Sequence, residues 1–210
     1  MNIRNAINKL KKIIPRPIGF LVHELFALLR HITIFYPNST LGFYIRELYY
    51  KKGIYLKIGE RPIIGYGAQI YNDAPLEIGD DCWIGINVVI DPNDSFGILI
   101  GKNVGIANGC YIRAGNHNYY SLELPIVRQG HNCKQLSSSD GRKASIIIED
   151  NIWIGARSIL LSGAKIGQGS VISAGSVVSS EIPENSIVAG NPARVIANRT
   201  KINFKKTPLV

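Results

Sequence analysis

The sequence predicts an all-β fold, a parallel β-helix of about five coils, over residues 53–192. Three observations carry this prediction. Ile, Leu or Val recurs every six residues, at positions 58, 64, 70, 78, 84, 90, 100, 106, 112, 148, 154, 160, 166, 172 and 178. Glycine directly follows many of these aliphatics, and a small or medium residue lies four positions after most of them. A period of six fits neither an amphipathic helix nor a simple hairpin, but it suits three short strands per coil, joined by tight corners.

The other segments flank or interrupt the repeat. Residues 1–52 are predicted to form a helical N-terminal segment, and residues 193–210 a short, basic C-terminal tail. Residues 113–147 lack clean hexads, so we expect a long loop that leaves the β-helix between two coils. Loops of this length are commonly functional or disordered.

Composition and charge narrow the class of protein. The chain has 210 residues, of which 46% are hydrophobic and 19% charged, as in a globular protein. Its net charge of +9 is uneven: residues 1–61 contain eleven basic and three acidic residues, residues 62–193 eight and twelve, and residues 194–210 five and none. Because residues 62–193 are mildly acidic, the charge pattern argues against a nucleic-acid-binding surface. It fits local anion-binding sites near the two ends of the chain better.

The N-terminal segment contains an apolar run at 18–29, preceded by Lys9, Lys11 and Lys12. The run is short for a membrane span, and no small-residue cleavage site follows it. We expect an amphipathic helix, either buried or lying on a membrane surface. The three cysteines form no CxxC motif, which favours reduced thiols and a cytoplasmic location, with peripheral contact at the inner face of the membrane as an option.

The repeats and four further motifs resemble the hexapeptide-repeat acyltransferases over roughly residues 53–198. The motifs are IWIGA at 152–156, IGQGSV at 166–171, AGSVV at 174–178 and GNPARVI at 190–196. The combination is similar to maltose, galactoside and polysaccharide O-acetyltransferases. The resemblance implies a left-handed β-helix, a homotrimer, and acetyl-CoA bound between neighbouring copies as the acyl donor. The hand comes from the resemblance alone, because general crossover statistics favour the opposite one.

One of the four histidines is the candidate catalytic base. His117 follows Ala114-Gly115-Asn116 where the coil pattern stops, and the resemblance puts the family's catalytic histidine there. A neutral imidazole can take the proton of an attacking alcohol. We expect direct transfer, with His117 oriented by Glu123 or by a backbone carbonyl. His23, His31 and His131 are expected to have surface or packing roles.

Resemblance also assigns the binding residues, position by position. It places Ala156, Ala174, Ser179 and Arg194 in the acetyl-CoA site, although the lysine that often follows Ser179 is a serine here. Small residues at 156 and 174 would equally suit tight corners. For Trp153, packing and site lining have equal weight.

On the acceptor side, the resemblance points to Asn87, Asp91 and Asn93. An asparagine that usually contacts the sugar is replaced by Gly85, and this argues against maltose-like or galactoside acceptors.

Four functions follow from these observations. The first is an acetyl-CoA-dependent O-acetyltransferase acting on a sugar of a surface polysaccharide or of a lipid-linked precursor. The second is an N- or O-acetyltransferase acting on an amino-sugar nucleotide or an antibiotic. A zinc carbonic anhydrase on the same fold needs a histidine set that the sequence lacks, so no metal is expected. A non-catalytic β-helix is the fourth.

Overall fold

The structure, a computed structural model, describes residues 16–51 and 56–202. Of the segments predicted from sequence, residues 1–15 and 52 of the helical segment, 53–55 of the β-helix and 203–210 of the tail therefore lie outside the described residues. Two helices precede the β-structure, α1 (Arg16–Ile34) and α2 (Thr40–Lys51). Pro17 lies in the first turn of α1, where its fixed φ suits a helix start. Among the described residues, no helix has the length and apolar character needed to cross a bilayer.

The β-structure consists of successive coils, each with three short strands. The first three coils contain β1 (Leu56–Ile58), β2 (Ile63–Ile64), β3 (Gln69–Ile70), β4 (Leu76–Ile78), β5 (Trp83–Ile84), β6 (Val89–Asp91), β7 (Ile98–Ile100), β8 (Gly105–Ile106) and β9 (Tyr111–Arg113). A long loop follows, with a 3-10 turn (Ile126–Arg128) and a hairpin of β10 (Leu136–Ser137) and β11 (Lys143–Ala144). Two more coils contain β12 (Ile146–Ile148), β13 (Trp153–Ile154), β14 (Ile159–Leu161), β15 (Lys165–Ile166), β16 (Val171–Ile172) and β17 (Val177–Val178). A partial coil of β18 (Glu181–Ile182) and β19 (Ser186–Gly190) precedes β20 (Ala193–Asn198) and a final 3-10 turn (Arg199–Lys201).

Corresponding strands of successive coils pair in register and in parallel, which produces three faces. Sheet A has the order β1-β4-β7-β12-β15-β18, sheet B the order β2-β5-β8-β13-β16-β19-β20, and sheet C the order β17-β14-β9-β6-β3. The predicted parallel β-helix is thereby confirmed, and its stacked coils are consistent with the left-handed form. All fifteen hexad aliphatics point inward, and all are buried except Ile58, which packs partly buried against the core.

The end of the β-helix differs in detail from the pattern. The spacing between inward aliphatics shortens once, to four residues between Val178 and Ile182. It then returns to six at Val188, and both Ile182 and Val188 are buried. Residues 193–198, expected as the start of a tail, form β20, which turns back antiparallel along β19.

A buried arginine attaches α2 to the β-helix. Arg46 is fully buried, and its Nε donates to the carbonyl of Ile64 at 2.6 Å. Its two terminal nitrogens donate to the carbonyl of Tyr36 at 2.5 Å and to Oδ1 of Asn38 at 2.9 Å. Desolvation lowers the pKa of this guanidinium. The carbonyls it satisfies lie where the chain leaves α1 and where the first coil begins, so one side chain connects three segments.

Tyr50 makes the second attachment of α2. Its buried hydroxyl donates to the carbonyl of Ala68 at 2.7 Å and accepts from the amide of Ile70 at 3.3 Å. Burial raises the pKa of this phenol to about 12. Because both bonds go to the first coil, α2 covers the open end of the core.

The long loop packs on the outside of sheet A. Leu99 and Ile147 point outward from adjacent strands and are nevertheless buried, because Ala144 and Leu136 of the hairpin cover them. This small apolar cluster fixes the far end of the loop, whose near end carries His117.

Candidate active site

Three ladders of turns join the sheets. The first corner joins sheet A to sheet B (59–62, 79–82, 101–104, 149–152, 167–170 and 183–185). The second corner joins sheet B to sheet C (65–68, 85–88, 107–110, 155–158 and 173–176). The third corner joins sheet C to sheet A (71–75, 92–97, 114–145, 162–164 and 179–180).

His117 lies at the third corner, just after β9. It forms an antiparallel bridge with His131 across the base of the long loop, and the two imidazole ring centroids are 4.9 Å apart. The amide of Asn118 donates to the carbonyl of Gly130 at 3.0 Å, and the amide of Asn132 donates to the carbonyl of Asn116 at 2.7 Å. His117 is exposed while its backbone is held on both sides, so the position of its Cα is fixed and its ring is open to a ligand.

Charged side chains extend the histidine pair into a cluster. Nε2 of His131 lies 3.3 Å from Oδ2 of Asp94, and that oxygen also lies 3.6 Å from Arg113. Arg113 forms a second ion pair, with Asp91. Sequence reasoning expected a surface role for His131; the structure has it exposed and also puts its ring against that of His117. Position 131 carries no local signal for this contact, because thirteen residues of loop separate the two histidines.

The sequence predicted that Glu123 or a backbone carbonyl orients His117. Among the described residues, it is the ring of His131 that packs on His117, and Asp94 in turn contacts His131. Glu123 is exposed within the loop, where its amide donates to Oγ of Ser121 at 3.2 Å. A close approach fixes the turn before His117, because a Cβ at Gly115 would collide with the carbonyl oxygen of Asn93.

The predicted acceptor residues lie at two different corners. Asp91 is 8% exposed, and its carboxylate accepts from Arg113 and from the amide of Asn93 at 3.0 Å, so protein groups already hold it. Oδ1 of Asn93 is the one buried side-chain oxygen or nitrogen without a hydrogen-bond partner among the described residues. Leaving such an acceptor unpaired costs about 1–3 kcal/mol. It lies in the same turn as Asp94, so the corner that contains His117 also offers an unfilled acceptor.

Asn87, in contrast, lies at the second corner. Its φ is +54°, and the same turn position holds glycine at Gly67, Gly109 and Gly175, each with positive φ. Asparagine tolerates this left-handed conformation better than most residues. The corner geometry therefore accounts for Asn87 without a ligand.

Three of the four residues predicted for acetyl-CoA follow the second corner upward. Ala156 and Ala174 occupy equivalent positions in neighbouring coils, and the amide of Gly175 donates to the carbonyl of Ala156 at 2.9 Å. Arg194 lies on β20, opposite Ala189 at the corner end of β19 and one strand beyond the next coil. Ala174 and Arg194 are exposed, Ala156 is half-buried, and nothing lies within 4 Å of a Cβ built at Gly175. Coils stack about 4.8 Å apart, so these residues border an open strip along the helix axis.

Ser179 lies elsewhere, at the third corner, across sheet C from Ala174. It is exposed, and its carbonyl is near Gly163, over which the side chain of Lys134 passes. The structure therefore does not bring Ser179 to the same corner as Ala156 and Arg194.

Acidic residues are unequally shared among the corners. The first corner contains Glu60, Asp80, Asp81, Glu149, Asp150 and Glu184. The turns of the second corner contain no Asp or Glu, and Arg157 is the charged residue among them. The electrostatic character of the second corner therefore suits an anion, and that of the first does not.

Sheet B presents an aromatic pair at the start of its strands, directly after the first corner. The rings of Trp83 and Trp153 stack with centroids 5.7 Å apart, each 42% exposed. They meet across Gly105, where a Cβ would lie 2.7 Å from the ring of Trp153. Both weighed roles for Trp153, packing and site lining, therefore have a physical basis.

A metal site would need several ligating side chains close together. Among residues 16–51 and 56–202, no three His, Cys, Asp or Glu side chains come together in a way that could hold a metal ion. The thiols of Cys82 and Cys110 are buried, and burial raises the pKa of both, to about 11 for Cys82.

Comparisons with known proteins agree with this architecture. A family model for the hexapeptide repeat of succinyl-transferase matches residues 75–114, and one for the bacterial transferase hexapeptide (six repeats) matches residues 145–180. Putative acetyltransferase YJL218W of Saccharomyces cerevisiae is 35% identical over 146 residues, which are 67% of this chain and 64% of that protein. The chain thus spans just under two thirds of the length of this relative.

Solved structures share the fold at lower identity. Galactoside acetyltransferase in complex with coenzyme A matches with a TM-score of 0.64 and 24% identity, covering 86% of this chain and 84% of that one. AntD, an N-acyltransferase from Bacillus cereus in complex with dTDP and 3-hydroxybutyryl-CoA, matches with a TM-score of 0.56 and 21% identity, covering 69% and 73%. Models of hexapeptide repeats thus match two segments of the β-helix, residues 75–114 and 145–180, and the solved structures share its fold.

Proposed function

We propose that this protein is an acetyl-CoA-dependent O-acetyltransferase that acts on a sugar hydroxyl, with His117 as its general base. The observation that carries the proposal is the exposed, backbone-anchored imidazole of His117, backed by His131 and Asp94 at the end of the third coil. The relative named as an acetyltransferase and the CoA-bound structural neighbour support the same class of reaction.

In this mechanism, His117 accepts the proton of the acceptor hydroxyl while that oxygen attacks the thioester carbonyl. The proton on His117 then passes to the departing sulfur, so the base returns to its starting state without a covalent enzyme intermediate. His131 packs on the ring and limits its rotation, and Asp94 keeps His131 in place. Buried Cys82 and Cys110 have raised thiol pKa values, which makes them unsuitable as nucleophiles.

The second corner fits a donor with an extended arm and an anionic end. Ala156 and the open space at Gly175 allow a narrow chain to run against the backbone. Arg194 supplies a cation further along, and no carboxylate of the second-corner turns opposes it. Ser179 is a less direct part of this proposal, because it lies across sheet C.

The base and the donor strip, the open strip bordered by Ala156, Ala174 and Arg194, belong to different corners of one chain. His117 lies at the third corner and Ala156 at the second, with sheet C between them. A reaction that needs both can be completed by a second copy that presents its second corner to the first copy's His117. We therefore include a homotrimer in the proposal, a closed ring in which every copy can use both corners.

The acceptor is proposed to be a sugar of a surface polysaccharide or of a lipid-linked precursor. Asn93 lies at the same corner as His117, and its buried Oδ1 is without a hydrogen-bond partner among the described residues. The alternative is an amino-sugar nucleotide or an antibiotic as acceptor, and the likeness to an N-acyltransferase crystallised with dTDP keeps it in view.

A membrane-associated acceptor is supported by the surface of α1. Its large apolar side chains are between 50% and 65% exposed at Leu21, Leu25, Phe26, Leu28, Leu29 and Ile32. Positions 21, 25, 28 and 32 share one helix face, and Lys9, Lys11 and Lys12 precede the helix in the sequence. An apolar face with adjacent cations suits the surface of an anionic bilayer, so we propose peripheral binding at the cytoplasmic leaflet.

The catalytic proposal is tested by mass spectrometry of candidate sugars incubated with acetyl-CoA and the protein. We expect one acetyl group on the true acceptor, and a 10²- to 10⁴-fold lower rate for His117→Ala, the usual contribution of a general base. His31→Ala, a change at an exposed histidine of α1, is the matched control and should leave the rate unchanged. Equal rates for His117→Ala and the parent would refute the assignment of the base.

The membrane proposal is tested by flotation with vesicles of phosphatidylcholine and phosphatidylglycerol. The full chain should float with anionic vesicles and stay in solution with purely zwitterionic ones. Leu25→Glu should reduce flotation, whereas Leu122→Glu, at a fully exposed loop position, should not. Equal flotation of the two variants would remove α1 from the proposal.

A further inference from the structure

Arg157 occupies a turn position that its neighbours in the ladder fill with other residue types. The five equivalent positions of the second corner all have positive φ, and four of them are Gly67, Asn87, Gly109 and Gly175. Arg157 has a φ of +58°. A left-handed conformation costs a residue with a long side chain about 1–2 kcal/mol, a cost that glycine and, largely, asparagine avoid.

Hydrogen bonds between coils fix the backbone of Arg157, so a change of conformation cannot relieve its strain. The amide of Arg157 donates to the carbonyl of Asn108 in the coil below at 3.0 Å. One coil up, the amide of Gly175 makes the corresponding bond to Ala156. The conformation belongs to the ladder, so the strain follows from the presence of arginine there.

One other arginine has the same backbone conformation, and its strain is compensated. Arg61, at the first corner with a φ of +54°, donates from Nε and from a terminal nitrogen to the carboxylate of Asp81 at 2.7 and 2.6 Å. Among the described residues, no hydrogen bond or ion pair holds the guanidinium of Arg157. The side chain is exposed, and its stem lies over Gly109.

The surroundings of this unpaired cation indicate its ligand. Arg157 directly follows Ala156, it lies beside the open space at Gly175, and the second-corner turns around it contain no acidic residue. Arg194 lies on β20, three strands further along sheet B and about 14 Å away at the usual strand spacing; its terminal nitrogen donates to the carbonyl of Ala193 at 2.9 Å, and it makes no ion pair with a described carboxylate. Two guanidinium groups without a carboxylate partner thus border the same strip.

We propose that Arg157 binds a phosphate group of the acyl donor, acting with Arg194 as a two-point anchor for a phosphorylated, CoA-type thioester. This inference rests on the proposed function and deepens it, because it names a donor-specific residue at the same site. A guanidinium is suited to this task, since its planar donors match two phosphate oxygens at once. The strain at Arg157 is retained because neither glycine nor asparagine could supply the charge.

The test measures binding to the full-length protein by titration calorimetry, with CoA and with pantetheine, which lacks the phosphates. A hydrogen bond to a charged group accounts for about a 10- to 100-fold change in affinity. Arg157→Asn should therefore weaken CoA binding by at least about 10-fold and leave pantetheine binding unchanged. Because asparagine tolerates the left-handed conformation, the melting temperature of the ligand-free variant should equal or exceed that of the parent.

Arg61→Asn is the matched control, the same substitution in the same conformation at a different corner. It should leave CoA affinity unchanged. Equal CoA affinities for Arg157→Asn and the parent would overturn the inference, as would a parallel loss of CoA and pantetheine binding or a change in oligomer mass. Absence of CoA binding by the parent protein would instead refute the proposed donor itself.

Discussion

Replacing Arg46 by methionine should lower the free energy of unfolding by about 4 kcal/mol. The methionine side chain fills much of the same volume but leaves the buried carbonyls of Ile64 and Tyr36 without donors. Each buried acceptor left unpaired costs about 1–3 kcal/mol, which gives about 2–6 kcal/mol for the pair. Asn38 adds little, because its Oδ1 still accepts from the amide of Tyr66 at 2.8 Å.

Equilibrium unfolding in urea, followed by tryptophan fluorescence, measures this loss directly. Arg46→Lys should be only partly better than methionine, since one ammonium cannot reach three acceptors arranged for a planar fork. Arg61→Met removes an exposed ion pair with Asp81 and serves as the control, with an expected loss much smaller than that of Arg46→Met. A loss for Arg46→Met no larger than that of the control would show that the guanidinium is not what attaches α2 to the first coil.

Three further predictions concern other buried groups. Because burial raises the pKa of Tyr50 to about 12, stability should be full below pH 10 and fall by about 3 kcal/mol between pH 10 and 12, a loss that Tyr50→Phe should abolish in unfolding titrations. A thiol-reactive dye should label Cys133 rapidly in the native protein and Cys82 only in denaturant, and labelling of Cys82 at comparable rates would contradict its burial and raised pKa. Gly105→Ala puts a methyl group 2.7 Å from the ring of Trp153, so it should change the near-ultraviolet circular dichroism and cost about 1–3 kcal/mol, whereas an unchanged spectrum would mean that the rings are not stacked.

Local pattern was enough to predict the β-helix. A period of six fixes one inward residue per face and one turn per side. Because every coil repeats the same requirement, the fold can be predicted even where one coil departs from the pattern. The shorter spacing after Val178 shows where this repetition ends: β18 and β19 form the last, partial coil, with no complete coil above them to enforce the phase.

The candidate site was predictable only where a motif stands directly beside a coil. His117 and Ala156 could be placed in the fold from sequence because each adjoins a hexad, and their roles stay predictions. His131 was missed, since it reaches His117 through the folding of a loop that has no period. Asp91 was expected to face an acceptor, but the register of β6 with β9 sets it opposite Arg113, which occupies its carboxylate.

The sequence by itself determined the coils, their number and the inward side chains, because these depend on spacing within one short repeat. Tertiary structure decided which corner each polar residue occupies, and a residue's corner depends on loops, slips and register together. It separated His117 from the donor strip by a whole sheet, and it set Arg157 in a strained turn without a partner. The uneven charge along the chain is thereby distributed among the corners: acidic residues lie at the first corner, whereas the second corner presents cations that suit an anion.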